Sequence, residues 1–110
     1  MDKKLYKKRY SVFCEVLKRE RTAHHITQVE LARKMGEKQS WISKIELGKR
    51  RLELIKLLEY CDKIGITLTD FMFRMEGRLL EEGLLSPGRE KEYLKWLSIY
   101  NERHNIRSIT

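Results

Sequence analysis

A chain of 110 residues, 41% hydrophobic and 36% charged, is long enough for one small core and leaves a heavily charged surface. It shows no apolar run of membrane-spanning length and no apolar stretch behind its basic N-terminus, so we expect a cytoplasmic protein with no membrane partner. The formal net charge is +8, and residues 1–51 hold the whole excess, with 15 basic and 6 acidic side chains. This asymmetry favours a polyanionic partner, although charge alone is equally consistent with a basic surface that maintains solubility.

Hydrophobic periodicity predicts helices along the chain and no strand, so the expected fold class is all-α. The first predicted helix runs from Leu5 to Arg21 and is amphipathic. The second begins after Thr27, which can form a capping box with Glu30, and ends at Gly36. The third runs from Gln39 to Leu47.

A basic turn separates the third helix from the fourth, which is predicted from Leu52 to Ile64. Its buried side is expected to hold the apolar residues Leu54, Leu57, Leu58, Cys61 and Ile64. Thr67 or Thr69 is a candidate cap for a short fifth helix. Cys14 and Cys61 are interpreted as small core residues, because they lie among apolar residues and form no metal-binding pair.

The clearest break in the chain, at residues 86–88, precedes a last amphipathic helix from Glu90 to Arg103. We therefore divide the chain into a domain at residues 1–76 and a helical extension at 77–110. The apolar side of the last helix includes residues of the kind found in interface cores: Tyr93, Trp96, Leu97 and Tyr100. These residues form a candidate dimer interface or partner-binding surface, and the alternative is that the helix folds back on its own domain.

Two short helices joined by a tight turn, the second and third, have the dimensions of a helix-turn-helix. The second helix of such a pair enters the DNA major groove, which requires polar side chains at its start and apolar ones behind. The polar set consists of Gln39, Ser40, Ser43 and Lys44, and the apolar set of Ile42 and Ile45. This pattern predicts a double-stranded DNA partner.

The sequence over residues 10–75 resembles the Xre family of helix-turn-helix regulators, of the Cro and phage-repressor type. The matching residues are Thr27, Gln28, Leu31, Ala32, Gly36, Gln39, Ser40, Ile42, Ser43, Lys44, Glu46, Gly48 and Arg50. The resemblance implies a five-helix phage-repressor-like domain, to which the C-terminal helix is an addition. The chain departs from the pattern at Glu37 and Lys38, so the usual cap of the third helix is missing.

The resemblance also implies roles for individual residues. It implies that Gln39, Ser40 and Lys44 contact the bases and that Gln28 contacts a phosphate of the DNA backbone. The other residues that it implies contact the DNA backbone are Trp41, Ser43, Lys49, Arg50 and Arg51. Gln28, Gln39 and the basic turn could also be ordinary solvated surface, and the matches around them favour the DNA roles. Trp41 is equally consistent with packing, and Glu46 is expected to satisfy nearby backbone or an arginine.

We interpret the chain as a sequence-specific transcriptional regulator, a dimeric repressor that reads a pseudo-palindromic operator through Gln39–Leu47. The alternatives are an antitoxin that binds DNA and a toxin protein, the latter through residues 77–110, and a domain that has lost DNA binding. The sequence shows no nucleophile–base pair, phosphate loop or zinc signature, so we expect no enzyme activity, no cofactor and no metal.

Overall fold

The computed structural model describes residues 1–103, and within them it has six helices and no strand, which confirms the all-α prediction. The helices are α1 Lys3–Ala23, α2 Gln28–Met35, α3 Gln39–Glu46, α4 Leu54–Ile64, α5 Leu68–Glu81 and α6 Arg89–Arg103. None of the helices in this range is long and apolar enough to cross a membrane. The last seven residues of the predicted extension, 104–110, lie outside the described residues.

Local capping signals determine where α2 begins and ends. The Thr27 hydroxyl accepts a hydrogen bond from the Glu30 amide at 3.1 Å, and the Glu30 carboxylate accepts one from the Thr27 amide at 3.3 Å. This is the predicted capping box. Gly36, at φ 66°, ends the helix in the left-handed conformation that favours glycine. Thr67, the first of the two candidates, caps α5.

The core lies between α1, α2, α3, α4 and α5, with α2 packed on α3 and α4, and α1 packed on α3 and α5. Its completely enclosed side chains come from all five of these helices: Leu17, Leu31, Ile42, Ile45, Tyr60, Cys61 and Phe71. Both cysteines are free and buried, as predicted. The helix-turn-helix therefore rests on a scaffold of three longer helices, and this scaffold positions α3.

The buried face of α4 differs from the predicted one. Leu54 and Leu58 are 64% and 40% exposed, whereas Tyr60 is completely buried beside Leu57 and Cys61. Leu54 is the first residue of α4 and lies at its edge. The prediction is confirmed for Leu57, Cys61 and Ile64 and was wrong for Leu54 and Leu58, because leucine was taken as the mark of the buried stripe, while Tyr60 fits the same helical spacing.

α5 extends well past Gly77 and runs across the predicted boundary between residues 76 and 77. A glycine within this helix has a packing reason, because a Cβ at Gly77 would lie 2.8 Å from the Tyr93 hydroxyl oxygen. Tyr93 belongs to α6, is 8% exposed, and donates a hydrogen bond to the Phe73 carbonyl at 3.1 Å. The missing side chain at Gly77 thus makes room for α6 to pack on α5.

The predicted dimer-interface residues of α6 divide into two groups. Tyr93 and Tyr100 face their own domain, where Tyr100 hydrogen-bonds Asp70 and its ring packs 4.3 Å from that of Phe73. Leu97 is half-buried, and Trp96 is 52% exposed. Part of α6 therefore folds back on the chain, and Trp96 alone of the four is largely available to a partner.

Candidate nucleic-acid interface

The exposed side of α3 presents the predicted base-reading residues together. Ile42 and Ile45 are completely buried and hold the helix on the core. Gln39, Ser40 and Lys44 lie opposite them and are exposed. The structure thus brings the three predicted base readers to one solvent-facing surface, and the turn between α2 and α3 spans only residues 36–38.

A buried ion pair lies directly behind this surface. Arg21 on α1 donates two hydrogen bonds to the Glu46 carboxylate on α3, at 2.6 and 2.8 Å, and both residues are buried. The Tyr60 hydroxyl on α4 donates a third to Glu46 at 2.7 Å. This confirms that Glu46 satisfies an arginine, and it ties three helices together at one carboxylate.

Two side-chain amides connect the Glu46 carboxylate to the protein surface by hydrogen bonds. Gln28 Nε2 donates to Glu46 at 3.0 Å, and Gln39 Nε2 donates to Gln28 Oε1 at 2.7 Å. Gln28 opens α2 and Gln39 opens α3, so both helix starts are joined to the buried ion pair. We call the set Arg21, Glu46, Tyr60, Gln28 and Gln39 the glutamate network.

The electrostatics of the glutamate network favour the charged pair. Burial alone would raise the pKa of Glu46, but the hydrogen bonds from Arg21, Gln28 and Tyr60 outweigh it and lower that pKa below its ordinary value. The hydrogen bond to Glu46 raises the pKa of Arg21. Burial, reinforced by the nearby carboxylate, raises the pKa of Tyr60, so its hydroxyl stays a donor.

The basic turn after α3 folds back over the end of that helix. The amides of Lys49 and Arg50 both donate to the Lys44 carbonyl, at 2.9 and 3.2 Å. The Lys49 and Arg50 side chains are exposed. Arg51 differs, because its guanidinium lies 5.3 Å from the centre of the Tyr6 ring and donates a hydrogen bond to the Tyr6 hydroxyl.

Trp41 and Ser43 lie at the edge of the exposed face and are both partly buried. The Trp41 ring packs against the core, and the Lys56 ammonium lies 5.9 Å from its centre. Lys56 also pairs with Glu37 at 3.3 Å, which offsets the negative charge that the sequence places near α3. These contacts support packing for Trp41, and its contact with DNA stays a prediction.

Comparison with known proteins gives the family. A family model described as helix-turn-helix matches residues 17–71, half of the chain. The solved structure of an XRE-family like protein from Pseudomonas syringae pv. tomato str. DC3000 is 34% identical, and the alignment covers 69% of this chain and 93% of that chain with a TM-score of 0.64. The chain belongs to the XRE family. A search of curated proteins found no match.

Membership confirms the predicted resemblance, and it gives this XRE-family protein the fold of DNA-binding regulators. The matched residues contain α2, α3 and the basic turn, and they end before α6. Among residues 1–103, no group of three or more His, Cys, Asp or Glu residues is placed to hold a metal ion.

Two members of the glutamate network were not found from the sequence of this XRE-family protein. Arg21 was assigned only as the end of the first helix, and Tyr60 was not assigned at all. A signal for Tyr60 existed, since it lies three residues after Leu57 and four before Ile64, on the stripe that is buried. No local signal pointed to Arg21, because its partner is 25 residues away.

Proposed function

We propose that this protein is a cytoplasmic, sequence-specific regulator that binds double-stranded DNA, and that it acts as a dimeric repressor on a pseudo-palindromic operator. The observation that supports this function is the glutamate network, which holds the amides of Gln28 and Gln39 side by side at the starts of α2 and α3. Side chains fixed before binding lose less conformational entropy when they meet DNA.

In this proposal α3 lies in the major groove, with Gln39, Ser40 and Lys44 against base edges. Gln28 and the basic turn hold the backbone on either side of the groove, with Ser43 and Trp41 at the edge. Lys49 and Arg50 are the most accessible cations of the turn, because both side chains are exposed, whereas the Arg51 guanidinium lies over the Tyr6 ring.

The base-reading assignment predicts a loss of specificity. Gln39→Ala and Lys44→Ala are each expected to weaken binding to the preferred site by about 1–3 kcal/mol, with little loss on random DNA. The site is first selected from random fragments, and affinities for it and for a scrambled duplex are then measured by fluorescence anisotropy. Equal losses on both duplexes would place these residues on the backbone.

The phosphate assignment predicts a change in salt dependence. Arg50→Ala is expected to weaken binding to all sequences alike and to reduce the slope of log K against log salt by about one unit per bound protomer. Lys95→Ala is the matched control, because it removes one exposed cation from α6. An unchanged slope for Arg50→Ala, or the same change for Lys95→Ala, would contradict the phosphate role.

Dimerisation is part of the proposal because one helix-turn-helix reads only a few base pairs, and two copies read half-sites one helical turn apart. The exposed apolar residues on one flank of α6 and on the adjoining part of α5 support it: Trp96, Ile99 and Met72 are 52%, 37% and 37% exposed. In the alternative function, as an antitoxin, a toxin protein would take the place of the second copy.

A further inference from the structure

A cleft of about 820 Å³ opens beside the basic turn, between that turn and the first half of α1. Four cations line it: Lys3, Lys7, Lys49 and Arg51. We call it the α1 cleft. Lys3 and Lys7 lie before residue 17, outside the part of the chain that the helix-turn-helix family model matches.

The acidic side chains of the α1 cleft are already neutralised. Glu15 pairs with Arg78 at 2.8 Å, and Glu46 pairs with Arg21 at 2.6 Å. Lys3, Lys7 and Lys49 form no ion pair with any residue between 1 and 103. The unpaired charge that lines the cleft is therefore positive. The cleft is open to solvent at Lys3 and Lys7, which are both exposed.

The α1 cleft is continuous with the basic turn. Lys3, Lys7, Tyr10 and Cys14 share one face of α1, since they are spaced by four, three and four residues. The turn packs directly on this face, because a Cβ at Gly48 would lie 3.6 Å from Cys14 Sγ and 4.0 Å from the Tyr10 ring. Arg51 reaches across and covers the rings of Tyr6 and Tyr10.

We propose that the α1 cleft binds a phosphate of the operator backbone next to those held by Lys49 and Arg50, through Lys3 and Lys7. The inference rests on the proposed function, and it adds α1 to the DNA-binding surface. DNA is favoured over a free anion because the two lysines extend a basic surface that already borders α3, and a duplex carries one phosphate charge per about 1.7 Å of its axis.

The chain supplies a matched pair of variants to test this. Lys3→Ala with Lys7→Ala removes two positive charges from the cleft. Lys4→Ala with Lys8→Ala removes two from an adjoining depression beside Leu84, which Lys3 also borders, but neither Lys4 nor Lys8 lines the α1 cleft. The first variant is expected to reduce the salt slope on the selected operator by about one unit per bound protomer. The second is expected to leave the slope close to that of the unmodified protein.

Ethylation interference gives a second measurement on the same proteins. For the unmodified protein, ethylation of at least one phosphate in each half-site is expected to inhibit binding, whereas ethylation of the same phosphate should not affect the cleft variant. This phosphate should be adjacent to those at which Arg50→Ala removes the inhibition. Thermal unfolding checks that the substitutions leave the fold intact. Lys3→Gln with Lys7→Gln repeats the test with the side-chain length largely kept.

The outcomes separate the two claims. If the unmodified protein binds no DNA, the proposed function is wrong, and this inference is overturned with it. If the protein binds its operator but the cleft variant matches the Lys4 and Lys8 control in slope and in phosphate map, only this inference is overturned. The cleft would then be free for a small anion.

Discussion

Replacing Glu46 with alanine is expected to lower the free energy of unfolding by about 3–5 kcal/mol, because the change leaves a buried guanidinium without its partner. Arg21 is 5% exposed, and it loses two hydrogen bonds at once, while Tyr60 and Gln28 each lose one. Urea titration followed by circular dichroism measures the loss. Glu15→Ala is the control, since Glu15 is an exposed carboxylate that also pairs with arginines, and its effect should be small.

Removing both charges is expected to restore most of the stability but not the specificity. Glu46→Leu combined with Arg21→Met leaves no buried charge, and such apolar replacements are often neutral or stabilising. Gln28 and Gln39 would still lack their anchor, so the preference for operator over random DNA should remain reduced. A double variant as unstable as Glu46→Ala would show that the buried arginine is not the source of the loss.

The pH dependence of stability follows from the lowered pKa of Glu46. The pKa of Glu46 is lower in the folded protein than its ordinary value of 4.5. Its carboxylate therefore stabilises the folded state fully when the pH is above 4.5, and this contribution is lost as the pH falls through the folded-state pKa. The difference in stability between the unmodified protein and the double variant should therefore be constant near neutral pH and change only in acid. Urea titrations in a series of buffers measure it.

Trp96→Ala is expected to separate the proposed dimer into monomers and to lower affinity for the palindromic operator by about 100-fold, because binding of the two half-sites is no longer linked. Affinity for a single half-site should not change. Sedimentation velocity at micromolar concentration measures the oligomeric state, and anisotropy with whole and half operators measures the affinities.

Leu94→Ala is the matched control for Trp96. Leu94 is an apolar residue of α6 that is 51% exposed, but it lies on the opposite side of the helix from Trp96. Cutting the chain before α6 is a less informative test, because Tyr93 packs on α5 and its loss would also lower stability. If the unmodified protein sediments as a monomer, both free and on its operator, the dimer proposal is wrong.

The local features of this fold could be predicted from the sequence. The capping box of Thr27 and Glu30 and the glycine end at Gly36 each depend on residues within one or two turns, so the pattern alone determines them. The start of α3 at Gln39 was predicted as well, even though Lys38 supplies no side-chain cap. The buried isoleucines behind it are sufficient to hold the helix in place.

The features that depend on contacts distant in sequence could not be predicted. An amphipathic α6 indicates that one face is covered, but not that α5 of the same chain covers it with Tyr93 and Tyr100 turned inward. The domain boundary was predicted between residues 76 and 77, whereas Gly77 lies within α5 and is explained by Tyr93, which is 16 residues later in the sequence. The glutamate network likewise depends on α1 and α4 reaching α3, and this is a property of the packing.

The hydrogen bonds that run outward from Glu46 also determine which way two side-chain amides point. A carboxylate only accepts, so Gln28 must direct its NH₂ group inward and its oxygen towards Gln39. Gln39 then donates one N–H to Gln28, which leaves its own oxygen and its second N–H for a base. That combination is complementary to the N6–H donor and N7 acceptor of adenine, and it conflicts with the two acceptors of guanine. A buried acid is thus expected to bias the operator towards adenine at the position facing Gln39.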